Sequence, residues 1–481
     1  MDPFVPTYDS LTRYECPEWF RDAKFGIWAH WGPQAVPMVG DWYARHMYYQ
    51  GHEQYEHHVK TFGHPSEFGY KDIIPLWKAE KFDPERLMAL YKATGARYFV
   101  SMGVHHDNFD LWNSKHNAWN AVQMGPQRDV LGEWQRAAQK QGLKFGVSEH
   151  LGASFTWWQR SHASDKTGPK EAVPYDGADP ANESLYHFPA EPGDTAWYST
   201  NERWATHWLA RITDLIDQYN PDLLYTDGAL PFGPIGCEML AHFYNTNMAL
   251  HGGKLEAVYN LKDWTSSPGH GDYIEGIGVQ DVERGGLSEI KPAPWQTDTA
   301  IGDWFYNQNW KANDTGTMYR SARWVIQTLI DVVSKNGNML LNVIQRPDGS
   351  LDPDVETLLA DVAHWIAIHG EGIYATRPWK VYGEGVTETE AGHFKEDFGF
   401  SAADIRYTQT KDGSTVYAFA LGWPENGTLL LCSLADYPVE KVELLGHSGT
   451  LAFTHTPEGL QVTLPTQPTS EIACALKLSV L

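Results

Sequence analysis

Cysteine is scarce in this chain. Four occur among 481 residues, at positions 16, 237, 432 and 474, with no CxxC pair and no metal-ligand spacing. That excludes a disulfide framework and a structural zinc site, and leaves free or buried thiols. Basic residues are also few: 37 Lys and Arg stand against 61 Asp and Glu, for a formal net charge of −24. Neutralising phosphates requires a basic surface, so a nucleic-acid partner is disfavoured, and an anionic membrane likewise. No apolar run approaches the roughly 20 residues of a membrane span. The first residues, MDPFVPTYDSLTRYECPEWF, lack a basic n-region and a continuous apolar h-region. No signal peptide is read there, and the expected location is cytoplasmic, or secreted or periplasmic with a leader removed.

Several catalytic signatures are missing as well. There is no GxGxxG after the first strand, so a dinucleotide or phosphate loop is not expected. No GxSxG marks a nucleophile elbow, and no HxH or HExxH marks a zinc hydrolase. Aromatic residues, in contrast, are plentiful: 21 Trp, 24 Tyr and 19 Phe make up 13% of the chain. Most serve a core, but large flat side chains also suit the faces of sugar rings in open clefts.

From about residue 20 to 345, strand-like runs alternate with helical patterns. The strands are expected at Phe25–His30, Tyr98–His106, Leu143–His150, Asp222–Asp227, Leu255–Asn260, Gly276–Glu283, Trp295–Ile301 and Met339–Ile344. Helices are expected at Pro84–Thr94, Asp129–Gln141, Glu202–Tyr219 and Met318–Ser334. Eight strands alternating with helices imply an α/β fold of the (β/α)8, TIM-type barrel class. Long Pro- and Gly-containing segments at 32–75, 152–198 and 262–275 read as binding loops or lids. Beyond residue 370 the texture changes to short strands divided by turns, at Thr415–Trp423, Thr428–Leu434, Val439–Leu445 and Leu460–Leu464. This predicts a small C-terminal antiparallel β-sandwich. The expected division is a catalytic barrel over residues 1–370 and an accessory, structural sandwich over 371–481.

The strand ends carry the functional signal. The first ends in His30-Trp31-Gly32, the second in His105-His106-Asp107, the third in Glu149-His150 and the fourth in Asp227-Gly228. The sixth ends in Asp281-Val282-Glu283, and the seventh carries Asp298 with Trp304 shortly after. Barrel enzymes build their sites on this face, and polar groups converging there are hard to explain by packing. A two-carboxylate glycosidase needs one ionised carboxylate, one protonatable partner, neutral donors for hydroxyls and aromatic platforms, and this set supplies them all. Asp348, Asp352 and Asp354 could suggest a calcium loop, but their spacing does not fit one, and a helix-capping turn is expected.

The chain also resembles a family. The phrases Ala23-Lys-Phe-Gly-Ile-Trp-Ala-His-Trp-Gly32, Asp41-Trp-Tyr-Ala-Arg-His46 and His105-His-Asp-Asn-Phe-Asp-Leu-Trp112 are similar to those of family-29 glycoside hydrolases, the α-L-fucosidases. So are Asn220-Pro-Asp-Leu-Leu-Tyr-Thr-Asp-Gly228 and Ser334-Lys-Asn-Gly-Asn-Met-Leu-Leu-Asn342. The resemblance implies a barrel followed by a β-sandwich, and a retaining exo-enzyme that removes terminal α-L-fucose from a fucosylated glycan without metal or organic cofactor. Asp227 matches the family's nucleophile. His30, His105 and His106 match sugar-binding positions, and Trp304 matches an aromatic wall. The candidate substrate-binding set is completed by Asp41, Trp42, Trp112 and His150. The family often has Glu where this chain has Asp41, one methylene shorter.

The acid/base sits on a variable loop in this family. One position that holds a Glu in some members matches Gln296, which cannot act as a carboxylic acid. Glu283, at the sixth strand end, and Glu289, farther along the loop, both remain candidates, with Glu149 next in line. An apolar contact for the fucose 6-methyl group is sought among Phe25, Trp28 and Trp304. Two alternatives stay open at this level: the same mechanism on α-L-galactose, and a sugar-binding barrel that has lost its proton donor.

Overall fold

The computed structural model describes residues 2–264, 266–267 and 269–480. Eight strands close into a barrel in chain order: β1 Phe25–Ala29, β2 Tyr98–Val104, β3 Lys144–Glu149, β4 Leu223–Thr226, β5 Val258–Lys262, β6 Val279–Asp281, β7 Trp295–Ala300 and β8 Gly337–Asn342. Each pairs in parallel with the next, and β8 pairs with β1. The strands are buried almost throughout. Parallel strands covered on both faces require this, and it is why they read as continuous apolar runs. The interior is filled by large side chains at selected points. A Cβ on Gly26 would lie 2.3 Å from the Tyr98 ring, so the glycine makes room for a tyrosine whose hydroxyl donates to Gln296 Oε1 across the barrel (2.9 Å).

Six helices cover the outside: α1 Pro84–Thr94, α2 Val130–Gln141, α3 Glu202–Tyr219, α4 Pro234–Leu250, α5 Ala322–Ser334 and α6 Pro353–His369. Their starts follow capping chemistry. The side chains of Asp83, Asp129, Asn201 and Ser321 each accept a backbone N–H in the first turn. Ser321 explains why α5 begins four residues later than the apolar period suggests: residues 318–320 precede the cap and Ser321 is the cap itself. Among the described residues, no helix lies between β5 and β6 or between β6 and β7. The described residues of those connections, within 263–278 and over 282–294, form irregular chain. The expected loop at 262–275 includes Thr265 and Pro268, which lie outside the described residues.

Beyond α6 the chain forms two antiparallel sheets. The strands are β9 Arg377–Glu384, β10 Ile405–Gln409, β11 Thr415–Ala420, β12 Thr428–Leu431, β13 Val439–Leu444, β14 Phe453–Thr456, β15 Gly459–Thr463 and β16 Cys474–Val480. Five form a sheet in the order β13-β16-β11-β10-β9, and three form a sheet in the order β12-β15-β14. Alternating residues such as Leu460, Val462, Leu476 and Leu478 fill the space between them. Tyr417, Phe419 and Ala475, from the opposite face of the larger sheet, join the barrel's own core. A buried ionic cluster ties the units together: Asp331 of α5 pairs with Arg406 of β10 and with Lys335, each at 2.6 Å. Among the described residues, no helix is long and apolar enough to cross a membrane.

Candidate active site

The strand ends expected to carry the chemistry converge on one cavity of about 250 Å3. Asp227 follows β4, its backbone N–H donating to Glu149 O (3.2 Å) at the end of β3. Gly228 turns the chain away at φ 134°, and a Cβ there would lie 2.3 Å from the Tyr198 hydroxyl, so only glycine fits behind the carboxylate. Asp227 Oδ1 accepts from Lys262 Nζ (2.7 Å) at the end of β5. Its Oδ2 lies 3.3 Å from His106 Nε2 and 3.3 Å from His150 Nδ1. Burial alone would raise this carboxyl, but the Lys262 ammonium and the two imidazoles hold it well below the usual carboxylate range.

Glu283 stands across the same ammonium. Its Oε2 accepts from Lys262 Nζ at 2.6 Å. The two lysine contacts set an upper limit on the Asp227 Oδ1 to Glu283 Oε2 separation, so the two carboxyls face one another across a single ammonium. Burial, with the charges of Asp298 and Asp227, pushes the Glu283 carboxyl up to about 7 against the opposing pull of Lys262. Two carboxyls held by one cation are thus displaced in opposite directions, which separates an ionised group from a proton donor.

A polar layer lies beneath. Gln296 Nε2 donates to Asp281 Oδ2 (2.6 Å), and Tyr225 OH donates to Asp298 Oδ2 (2.8 Å). Burial and the adjacent Asp298 push the Asp281 carboxyl well above its usual range. Lys262 Nζ lies 3.7 Å from Asp298 Oδ2. Burial opposes its charge, but the surrounding carboxylates hold the ammonium well above the ordinary lysine value.

The opposite wall is built of histidines. Burial, with the neighbouring imidazoles, holds His30 and His105 well below the ordinary histidine value, and burial lowers His150 as well. Two of the rings have one nitrogen engaged away from the cavity. His105 Nδ1 meets Gln34 Nε2 at 2.7 Å, and His106 Nδ1 meets the His150 carbonyl at 2.7 Å. Among the described residues, His30 Nδ1 and Nε2, His150 Nε2 and Asp41 Oδ1 have no hydrogen-bond partner despite being buried. Leaving such groups unpaired costs about 1–3 kcal/mol each, and ligand hydroxyls would satisfy them. Burial and the neighbouring Asp303 push the Asp41 carboxyl well above its usual range. Two sets, His105–His106–His150 and His30–Asp41–His105, also have ligand atoms within 4.8 Å of one another and could hold a cation.

Most residues singled out in the sequence meet here. His30, Asp41, Trp42, His105, His150, Asp227, Glu283 and Trp304 line the cavity, with His106 against Asp227. Others lie elsewhere. Trp112 is fully buried behind the barrel, its indole N–H donating to Asp214 Oδ2 of α3 (3.2 Å). Glu289 is exposed and outside the cavity lining. Phe25 is core at the opposite end of β1, whereas Trp28 reaches the cavity and packs on Trp304 at 5.5 Å. Glu149 is fully engaged, accepting from Thr226 OH (2.9 Å), Leu151 N–H (3.0 Å) and Trp208 (3.2 Å). Gln296 belongs to the barrel interior, so it does not occupy the place of a proton donor. The Asp348–Asp354 turn is satisfied internally: Asp352 accepts from Tyr306, Tyr319 and Arg346, and Asp348 from Ser350 and Lys81. Asp352 holds the N-cap position of α6 but makes no side-chain cap bond.

Sequence reasoning missed several lining residues. Lys262 was left out because β5 was expected to end at Asn260, two residues short; the apolar Leu261 before Lys262 was the available signal. Trp197 and Trp264 come from the two long loops, with His270 between them, stacked on Trp197 (5.4 Å, 8°) and tilted against Trp264 (6.2 Å, 33°). Phe394 comes from the β9–β10 connection of the sandwich, a region expected to be accessory only.

Comparison with known proteins agrees with this arrangement. The family profile described as alpha-L-fucosidase matches residues 1–371, and the alpha-L-fucosidase C-terminal domain matches 400–479. Human tissue alpha-L-fucosidase is 29% identical over 99% of this chain and 92% of its own length. The tissue alpha-L-fucosidase of Bos taurus is 30% identical over 99% of this chain and 91% of its own. The crystal structure of Thermotoga maritima alpha-fucosidase in complex with fucose superposes with a TM-score of 0.76 at 25% identity, covering 99% of this chain and 100% of that one. Barrel, sandwich and both sequence profiles coincide over nearly the whole length, and the chain belongs to the α-L-fucosidase family of glycoside hydrolases.

Proposed function

We propose that the protein is a retaining exo-α-L-fucosidase that releases terminal α-L-fucose from oligosaccharides or glycoconjugates by double displacement. Residues 1–370 form the catalytic unit in this reading. The observation that carries it is the single ammonium of Lys262 shared by two carboxyls, one held ionised and the other held as an acid near neutrality. Asp227 attacks the anomeric carbon and forms a fucosyl ester as the bond to the glycosidic oxygen breaks. Glu283 gives that oxygen its proton. Because Oε2 accepts from Lys262, Oε1 is the oxygen free to carry it. The ionised Glu283 then takes a proton from water as the water attacks the same carbon, and Asp227 departs. Two inversions leave the configuration as it began.

Neutral His30, His105 and His150 suit this chemistry because each ring can donate from one nitrogen and accept at the other, matching sugar hydroxyls. Trp28 and Trp304 offer an apolar wall for the 6-methyl group, and the Trp28 indole N–H is already committed to Ser148 Oγ (3.1 Å). An aryl α-L-galactoside, which keeps a hydroxyl where fucose has methyl, is therefore expected to react more slowly than the matching fucoside.

The decisive experiment compares Glu283→Ala with Glu289→Ala. General acids supply about 10²–10⁴-fold, and a good leaving group departs without one. Glu283→Ala should lose that factor on natural fucosides while still forming the fucosyl-enzyme from a dinitrophenyl fucoside. Added azide should then yield the α-configured fucosyl azide. If Glu289→Ala shows this pattern and Glu283→Ala does not, the proton donor is misassigned.

A further inference from the structure

The β9–β10 connection, residues 385–404, leaves the sandwich and returns to the barrel rim. It is fastened to the Glu283 segment from both directions. Glu283 N–H donates to His393 Nδ1 (2.9 Å), and Phe394 N–H donates to Glu283 O (2.8 Å). Gly392 N–H donates to Gly286 O (2.9 Å), and a Cβ on Gly285 would sit 2.0 Å from Gly392 O. Glu396 is the anchor: it accepts from Thr299 OH (2.5 Å) and Arg320 (3.1 Å) and pairs with Arg284 (3.3 Å). The His393 ring stacks on Trp264 at 4.7 Å and 13°.

Phe394 itself is anomalous in two ways. Its ring is 59% exposed, although it lines the cavity, so it forgoes most of the roughly 1.5–3 kcal/mol that burying a Phe contributes. Its backbone holds φ 59°, a left-handed conformation that is costly for a residue bearing a bulky side chain and that persists only where the surroundings enforce it. The surroundings here are the hydrogen bonds to Glu283. Position gives the anomaly a meaning. A proton donor must touch the oxygen that joins fucose to whatever carries it. With fucose against the histidine wall and Asp227, the carrier lies beyond Glu283, on the side where Phe394, His393 and Trp264 stand.

We infer that this loop builds the leaving-group subsite, with Phe394 as the platform for the neutral pyranose ring to which fucose is attached. This rests on Glu283 as the proton donor. An exposed aromatic face packs on the apolar C–H face of a pyranose, and a rigid ring binds at little conformational cost. The C-terminal sandwich thereby supplies a specificity-determining residue to a barrel site.

The test pairs two substrates that share fucose and differ in the leaving group: α-L-fucosyl fluoride and a disaccharide of fucose on galactopyranose. Phe394→Ala should lower kcat/KM for the disaccharide by about tenfold more than for the fluoride, and Phe394→Trp should restore it. Free galactose added to the fluoride reaction should divert fucosyl-enzyme to the disaccharide in the wild type and about tenfold less well in Phe394→Ala. Equal losses on both substrates, or none on either, would overturn the inference. So would a displaced basic limb in the pH profile of Phe394→Ala, because the ring would then act through Glu283. Glu283→Gln, run in parallel, separates this from the proposal beneath it. Wild-type cleavage of the disaccharide by Glu283→Gln removes the acid/base reading. Its loss there, with Phe394→Ala undiminished, removes the subsite alone.

Discussion

Two halves of the barrel rim bring opposite chemistry to one cavity. The ends of β1, β2 and β3 deliver His30, His105, His106 and His150, with the first, second and fourth of these held below their ordinary range by burial. The ends of β4 to β7 deliver Asp227, Lys262, Glu283 and Asp298, bound to one another through a single ammonium. The first half carries nitrogens of His30 and His150 that are buried without partners. The second is charged and joined through Lys262. A sugar is neutral and carries many hydroxyls, whereas glycoside cleavage creates charge at one carbon and one oxygen. In the proposed function, recognition falls to the first half and bond-breaking to the second. The second half is also where the connecting helices are missing, so its chain is free to bring Glu283 and the sandwich loop over the cavity.

Breaking the charged half should produce the largest effect. Asp227→Asn removes the attacking carboxylate while keeping its shape, and turnover should fall by about 10⁴-fold or more. Azide should partly restore cleavage of an activated fucoside, with a β-configured azide as product. A denaturant midpoint close to that of the wild type would show that the loss is chemical; near-normal turnover would mean that the two halves are misread.

Removing the cation should cost less and shift the pH dependence. Lys262 lowers the carboxyls of both Asp227 and Glu283, so Lys262→Met should raise both. The proposed mechanism requires Asp227 ionised and Glu283 protonated. The wild-type kcat/KM should thus fall as pH rises through about 7 and fall again well below the usual carboxylate range. In Lys262→Met both limbs should move to higher pH, with a loss of about 10²–10³-fold at neutral pH, and Lys262→Arg should return the limbs toward wild type. A profile that keeps its position in Lys262→Met would reduce the lysine to a packing role.

Damage to the neutral half should be milder. His30→Ala should lower kcat/KM by about 10–10²-fold, with kcat also reduced, because hydroxyl contacts tighten toward the transition state. Prolonged chelation should change nothing. Activity lost to a chelator and restored by a divalent ion would instead make the clustered histidines ligands, and the contrast between the halves would need to be redrawn.

The extent to which this was legible from the residue order varied with how local each signal was. Strand ends such as Thr226-Asp227-Gly228 and Val104-His105-His106 announce themselves, because a buried parallel strand is apolar until it meets the rim. Lys262 did not: its strand is short and continues two residues past Asn260, and a lysine after an apolar run reads as ordinary surface. Trp112 misled in the other direction, since a tryptophan close to a histidine pair looks like a sugar platform until α3 is seen to cover it. Strands β9, β10, β14 and β16 went unread, β9 because Pro378 and Lys380 break its pattern, as an edge strand tolerates.

Chain order by itself determined the alternation of eight apolar strands with capped helices, the change to short strands beyond residue 370, and the polar residues at each barrel strand end. These follow from backbone periodicity and solvent exclusion, which act over a few residues. Only the tertiary structure decided which carboxyl faces Asp227, that one lysine joins them, that Gln296 and Trp112 point away, and that Phe394 stands beside Glu283 from over a hundred positions downstream. Those are questions of distance and desolvation between elements that meet only when the barrel closes, and pKa values respond to such proximity and not to sequence spacing.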